Sequence, residues 1–369
     1  MLTERDAVRY LLAHELLGPE HVVAGDITVA DISRRHHNYK ITCDGPGYVL
    51  KQGVGPGGVA AVEREAAVYR LLAAGGDQLR AYLPRLHSFD PAEGALVLEL
   101  IDGAQNLREY HVQHGYFPVT AARALAKVLG TLHGSTTPTN GQRGSRPRVG
   151  HRELPWVLSV HRPALGFLHE CSSANLQLIQ IIQGFPVFCE LLDGLADDWR
   201  AESLIHGDVR WDNCIVFGKS PAARKTRMKL IDWELASMGD PCWDVASAFN
   251  DYLGFWLLSI PVTGELPPDR FLELARHPLE KMQPAIGAFW RTYEEHMELD
   301  PATADQWLER ATRYSAARVV QTAFEQMQLS MQLTGNVVCM LQLSLNILQR
   351  PREASVQLLG IPLRGTWSR

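Results

Sequence analysis

The chain has 369 residues, 46% of them hydrophobic, enough for two modest cores. A formal net charge of -5 gives no general attraction to phosphate backbones, so nucleic acid is not an expected partner. Its six cysteines, at 43, 171, 189, 214, 242 and 339, form no CxxC pair, and Glu4, Arg5 and Asp6 interrupt the apolar run that a secretory signal needs, so a reduced, cytoplasmic protein is expected.

Residues 4–17 read as an amphipathic helix. Short β-prone runs follow at 27–32, 37–43 and 47–52, the last two separated by the turn cluster Cys43-Asp44-Gly45-Pro46-Gly47. A glycine-rich stretch from Gly53 to Gly58 leads into a helix predicted at 60–74. Runs at 86–90 and 95–100, joined through Asp90-Pro91-Ala92-Glu93-Gly94, complete a five-stranded antiparallel sheet with one main helix. Beyond residue 105 the pattern is mainly helical, at 119–134, 154–170, 174–199, 241–259, 280–297 and 303–349, with short strands near 203–217 and 227–232. The fold class is therefore α+β, a small sheet-bearing lobe followed by a larger α-rich one.

The stretch 136–152 is rich in Gly, Pro and Arg and reads as a surface loop, a solvated one of no specific role ahead of one whose basic residues meet an acidic partner. Gln326 to Gln349 carries no charge and is long enough to cross a bilayer. A polar stripe of Gln328, Gln332, Asn336, Gln342, Asn346 and Gln349 instead predicts a helix that is buried or faces a partner, with no membrane involved.

The strongest chemical signal is Leu204-Ile205-His206-Gly207-Asp208-Val209-Arg210-Trp211-Asp212-Asn213. An apolar run delivers a tight turn, a carboxylate at 208 and an amide at 213. Phosphoryl transfer needs that pairing: a carboxylate to orient the attacking hydroxyl and accept its proton, and an amide oxygen to hold Mg²⁺ against the phosphates. The second signal is Met228-Lys229-Leu230-Ile231-Asp232-Trp233-Glu234, a strand ending in a hard oxygen donor suited to Mg²⁺. The two motifs stand 24 residues apart, Asp208 to Asp232. No HExxH ligand spacing or GxSxG elbow competes with them.

HGDxxxxN followed by IDWE resembles the aminoglycoside phosphotransferase and choline kinase-like families, which share the protein-kinase-like two-lobed fold. Gly239-Asp240-Pro241 and Asp244-Val245-Ala246 extend the resemblance, which implies an N-lobe over 1–103 and a C-lobe over 104–369, and ATP or GTP with Mg²⁺ as cofactors. It implies that Asp208 is the catalytic carboxylate, that Asn213 and Asp232 hold the metal, and that Asp244 buttresses the catalytic loop. It further implies that Lys51 binds the α- and β-phosphates, that Glu65 or Glu63 orients its ammonium, and that the backbone around Glu99 and Ile101 receives adenine. Arg210 stands where Ser/Thr protein kinases carry a lysine on the transferred phosphoryl group.

The pattern departs where protein kinases cover the phosphates with a glycine-rich loop. Asp31 to Tyr39 contains no glycine, so Ser33, Arg34, Arg35 or Asn38 would have to reach the nucleotide with side chains. Trp211, Trp233 and Trp243 read as packing residues. Asp193, Asp197, Asp198, Glu294, Glu295 and Glu298 are the candidates for an acidic, sugar-binding surface. The 31–39 hairpin and a long C-terminal helix ending at Pro351 also resemble kinases of modified-peptide (RiPP) biosynthesis, which phosphorylate Ser/Thr of a precursor peptide before a separate lyase eliminates phosphate. The acceptor is thus either a hydroxyl-bearing small molecule or such a peptide, with a lyase as possible partner. The non-enzymatic alternative is a pseudokinase acting as a binding module.

Overall fold

The computed structural model describes residues 2–33, 36–137, 154–218, 226–261 and 273–364. Its strands are β1 Thr28–Asp31, β2 His37–Thr42, β3 Tyr48–Gln52, β4 Leu86–Asp90, β5 Ala95–Glu99, β6 Gln105–Asn106, β7 Ser203–Ile205, β8 Cys214–Phe217, β9 Arg227–Leu230 and β10 Ser237–Gly239. Two compact units emerge, one holding the described residues to Tyr110 together with Asp212–Ala236, the other the remainder. The sequence division at 103 and 104 follows the expected hinge. The first unit extends seven residues further and draws in the segment that carries Asn213 and Asp232.

In the first unit five antiparallel strands run in the order β1-β2-β3-β5-β4. Side chains alternate between faces. Tyr39, Ile41, Tyr48, Leu50, Ala95 and Val97 fall on one face and pack with Ala7, Tyr10 and Leu11 of the Glu4–Ala13 helix. Thr3 caps that helix in a reciprocal box with Asp6. The pairings Asn38↔Lys51 and Lys51↔Leu96 place Asn38 and Lys51 on the other face, toward the Gly55–Ala74 helix. That helix begins earlier than predicted, at Gly55, and its first turn packs closely against Gly53. A Cβ on Gly53 would lie 2.5 Å from the Gly58 carbonyl group. A second, three-stranded sheet of order β6-β8-β9 completes the unit.

Among its described residues, the regular structure of the second unit is helical apart from the β7–β10 pair. Val119–Thr136, Pro241–Leu258 and Gln283–His296 lie close to the predicted helices, and Pro301–Gln326 begins close to the predicted start at 303. Three expectations are corrected. The helix at 174–199 is two, Ser173–Gln183 and Pro186–Asp197, bent by 94° where Pro186 cannot continue the hydrogen-bond ladder. The 154–170 helix is a 3₁₀ turn, Trp156–Ser159, and a short helix, Leu165–His169. The 303–349 helix breaks after Gln326 and resumes as Gly335–Gln349, so the uncharged stretch is not one helix. No described helix is long and apolar enough to cross a membrane alone. The loop predicted at 136–152 lies almost wholly outside the described residues.

Candidate active site

In the first unit Lys51 is the hub. Its Nζ donates to Glu65 Oε2 at 2.7 Å, Asp232 Oδ1 at 2.5 Å and Glu234 Oε2 at 3.5 Å. Glu65 is buried on the inner face of its helix while Glu63 is exposed, which decides between them. Burial disfavours the Lys51 ammonium, but the three carboxylates outweigh it and hold its pKa above the ordinary value. Burial likewise pushes the Glu65 carboxyl up, against the pull of Lys51.

Asp232 lies two residues past β9 in the left-handed backbone region, φ 67° and ψ 59°, where a non-glycine residue is uncommon. The turn places Asp232 and Glu234 on one side, beside Lys51, and buries Trp233. Three carboxylates around one ammonium leave an excess of two negative charges when all are ionised. Glu65, Asp232 and Glu234 can bring ligand oxygens within 4.8 Å of one another, a hard donor set that fits Mg²⁺. Asn213 is buried in this unit, and its carbonyl accepts the Ile231 amide at 3.1 Å, tying the two predicted metal-binding segments together.

The 31–38 hairpin closes on itself. The Asn38 amide donates to Ser33 Oγ at 2.9 Å and the Ser33 amide to Asp31 Oδ1 at 2.8 Å. Both contacts shape the turn, and Arg34 and Arg35 lie outside the described residues. His36, unassigned from sequence, is buried and its Nε2 lies 2.8 Å from Glu234 Oε2. At the end of β5, the Glu99 carboxylate accepts from Lys229 Nζ and from the Arg85 amide, both at 3.0 Å. Burial raises the Glu99 pKa, but these donors prevail and hold it below the ordinary value. The Glu99 amide donates to the Arg85 carbonyl at 2.8 Å, and the Ile101 carbonyl accepts from the Ala104 amide at 3.4 Å.

In the second unit β7 delivers the His206-Gly207-Asp208 turn, with Gly207 at φ 81°. Asp244 receives the amides of His206 at 2.7 Å and Gly207 at 3.0 Å, the buttress implied by the sequence. Asp244 is itself held by His133 Nε2 at 3.2 Å, whose Nδ1 meets the Tyr293 hydroxyl at 2.8 Å.

Asp208 Oδ1 accepts from Arg210 Nε at 2.9 Å and Arg318 Nη2 at 3.4 Å. Burial pushes the Asp208 carboxyl up, but the two guanidiniums overcome this and set it below the ordinary carboxylate value. Arg210 also forks onto Glu325 at 2.9 and 3.1 Å. Arg318 and Glu325 escaped sequence reasoning, since neither stands in a motif.

Trp211, Trp233 and Trp243 are all buried, as expected of packing residues. Of the acidic surface candidates, Asp193 pairs with His161 and Arg162, Asp198 with Arg313, and Glu294 with Arg364.

Residues 27–266, more than half of the chain, match the phosphotransferase enzyme family. Among solved structures the chain is similar to Plasmodium vivax ethanolamine kinase (TM-score 0.55, 16% identity, 91% of this chain and 86% of that one). It is also similar to a choline/ethanolamine kinase family protein from Mesorhizobium loti (TM-score 0.51, 18% identity, 96% and 98%). A third is aminoglycoside phosphotransferase APH(4)-Ia (TM-score 0.52, 15% identity, 94% and 99%). At these identities the likeness is one of fold.

Two curated relatives, acyl-CoA dehydrogenase family member 11 of Gallus gallus and of Pongo abelii, are 40% and 35% identical over 75 residues. That match covers 20% of this chain and 9% of each relative. The chain belongs to the phosphotransferase enzyme family, and carries its Lys51–Glu65 pair and its buttressed Asp208 turn on a kinase-like α+β fold.

Proposed function

We propose that the protein transfers the γ-phosphoryl group of ATP to the hydroxyl of a small molecule. The observation that carries the reading is the buried Lys51–Glu65 ion pair with Asp232 on the same ammonium, a phosphate-binding cation aligned beside a metal-binding carboxylate. Lys51 binds the α- and β-phosphates, released from part of its carboxylate cage as the phosphate oxygens arrive. Glu65 keeps the ammonium aimed. Asp232 and Asn213 would hold Mg²⁺, which when bound neutralises charge on the phosphates. Asp208 orients the acceptor hydroxyl and receives its proton, and Arg210 stabilises charge on the transferred group. The main chain from Glu99 to Ile101 takes the adenine edge, while Ser33, Arg34 and Asn38 line the covering hairpin.

The small-molecule acceptor is favoured over a precursor peptide by two points. The solved structures of similar fold are named for ethanolamine, choline and aminoglycosides. The helix that suggested the peptide branch is broken after Gln326. Three of the six acidic candidates for a cationic sugar are held by arginines or histidine, which favours an acceptor less cationic than an aminoglycoside.

Transfer of label from [γ-³²P]ATP, with [γ-³²P]GTP alongside, to amino alcohols, sugars, hydroxy acids and Ser/Thr peptides tests the reading. Labelling of a small hydroxyl compound is expected. Labelling of peptides alone would move the assignment to the peptide branch. Mg²⁺-dependent nucleotide binding with transfer to none of these would favour the pseudokinase.

A further inference from the structure

The Pro301–Gln326 helix carries Arg318, which no motif announces and which lies 110 residues beyond the catalytic turn in sequence. It is 3% exposed. Placing a guanidinium in a protein interior costs several kcal/mol unless it is paired, so a buried arginine needs an electrostatic reason. Its Nη1 donates to Gln321 Oε1 at 2.9 Å, its guanidinium lies over Trp243 with 5.4 Å to the ring centroid, and its Nη2 points to Asp208 Oδ1. Its Nε has no hydrogen-bond partner among the described residues. Gln321 in turn donates to Glu325 Oε1 at 3.0 Å, and Glu325 receives the fork of Arg210. One helix face thus supplies a cation to Asp208 and an anion to the arginine beside it.

We propose that Arg318 is a positioning residue which, together with Arg210, fixes the orientation of Asp208 for phosphoryl transfer. This rests on the role given to Asp208 above. Two guanidiniums meeting a single carboxylate oxygen resist rotation about the Cβ–Cγ bond more than either alone, and both favour the ionised form. Among the described residues, charged or titratable groups that face Asp208 include Arg210, Arg318 and His206, with Glu325 acting through Arg210. Arg318 and Glu325 both come from the distant helix, which makes that helix a support of the catalytic turn as well as a packing element.

The test uses the full chain as wild type, Arg318→Met, Arg318→Lys and, as a control on the same helix, Arg313→Gln, which breaks the ion pair with Asp198. Two readouts are taken. The first is the titration of Asp208 by carbon NMR with γ-¹³C aspartate, assigned with Asp208→Asn. The second is kcat and KM for Mg·ATP with the acceptor identified by the labelling panel. In Arg318→Met the Asp208 titration and the acid limb of kcat should both move upward by about one pH unit. Its kcat should fall about tenfold or more with KM for ATP within about twofold. Arg318→Lys should recover part of both, and Arg313→Gln should match wild type.

An unchanged Asp208 titration in Arg318→Met would overturn the proposal. So would parallel loss of kcat and nucleotide affinity with lysine no better than methionine, which is the mark of a packing role. Should the methionine variant not fold, Arg318→Gln takes its place. If wild type labels no acceptor, the assigned function fails, while the NMR titration still decides whether Arg318 holds Asp208.

Discussion

The carboxylate of Asp244 accepts the backbone amide of His206 at 2.7 Å, so the turn that presents Asp208 is pinned by a side chain 38 positions downstream. Both groups are fully buried, and the Gly207 amide shares the same carboxylate. Asp244→Ala should leave two amides without their acceptor, at about 1–3 kcal/mol each where water cannot replace it. We expect a fall in Tm of several degrees and a loss of kcat larger than any change in nucleotide affinity. Thermal unfolding with steady-state kinetics checks this, and a variant with wild-type kcat would show that the turn holds itself.

Asp208→Asn keeps the shape of the side chain and removes its basicity. Transfer should fall by about 10²–10⁴-fold with Mg·ATP affinity nearly unchanged. Isothermal titration beside the labelling assay separates the two quantities. Retention of the normal rate would remove Asp208 from the mechanism.

Lys51 neutralises part of the charge of three surrounding carboxylates, Glu65, Asp232 and Glu234. Lys51→Met should therefore destabilise the first unit by about 3–5 kcal/mol, because it leaves buried carboxylates without their counter-ion. Millimolar Mg²⁺ alone should restore part of that loss in a thermal unfolding series against EDTA. Asp232→Asn should weaken Mg·ATP binding by tenfold or more, on the order of the 1.4 kcal/mol that a tenfold change represents. A Lys51→Met protein indifferent to Mg²⁺ would argue against a cation site among these carboxylates.

His111, on the Leu107–His114 helix, packs against Trp211 and Phe117 and is hydrogen-bonded through Nδ1 to the Tyr116 carbonyl at 3.1 Å. Burial, the dominant cause, lowers its pKa from 6.5 to about 4. A histidine held neutral in the fold takes up its proton more readily when unfolded. Stability should accordingly fall as pH drops from about 6.5 toward 4, by about 3 kcal/mol in total. Denaturant unfolding across that range should show the slope, and His111→Phe should flatten it. An equal slope in both proteins would assign the acid sensitivity elsewhere.

Much of the first unit was legible because its signals are local. Alternating apolar residues and turn clusters lie within a few positions of one another, so β1 to β5 fell where the pattern put them. Helix ends in the second unit were less legible. The break after Gln326 has no proline or charge to mark it. It is held from outside the segment, by Ser172 Oγ donating to the Met327 carbonyl at 2.6 Å and the Ala174 amide donating to the Ser330 carbonyl at 3.2 Å. The 184–186 break carried a readable mark in Gly184-Phe185-Pro186, which outweighs the apolar periodicity on either side.

By itself the sequence determined the class of chemistry, phosphotransfer: HGDxxxxN and IDWE name the carboxylates and the amide that the proposed reaction uses, because motif residues are fixed by the atoms they must supply. Only the tertiary structure decided which charges surround them. Glu65 faces Lys51 and Glu63 does not, His36 reaches Glu234, and Arg318 reaches Asp208 from a helix far along the chain. The physical reason is that an ion pair depends on distance through space and on exclusion of water, and neither is written in the separation of residues along the chain.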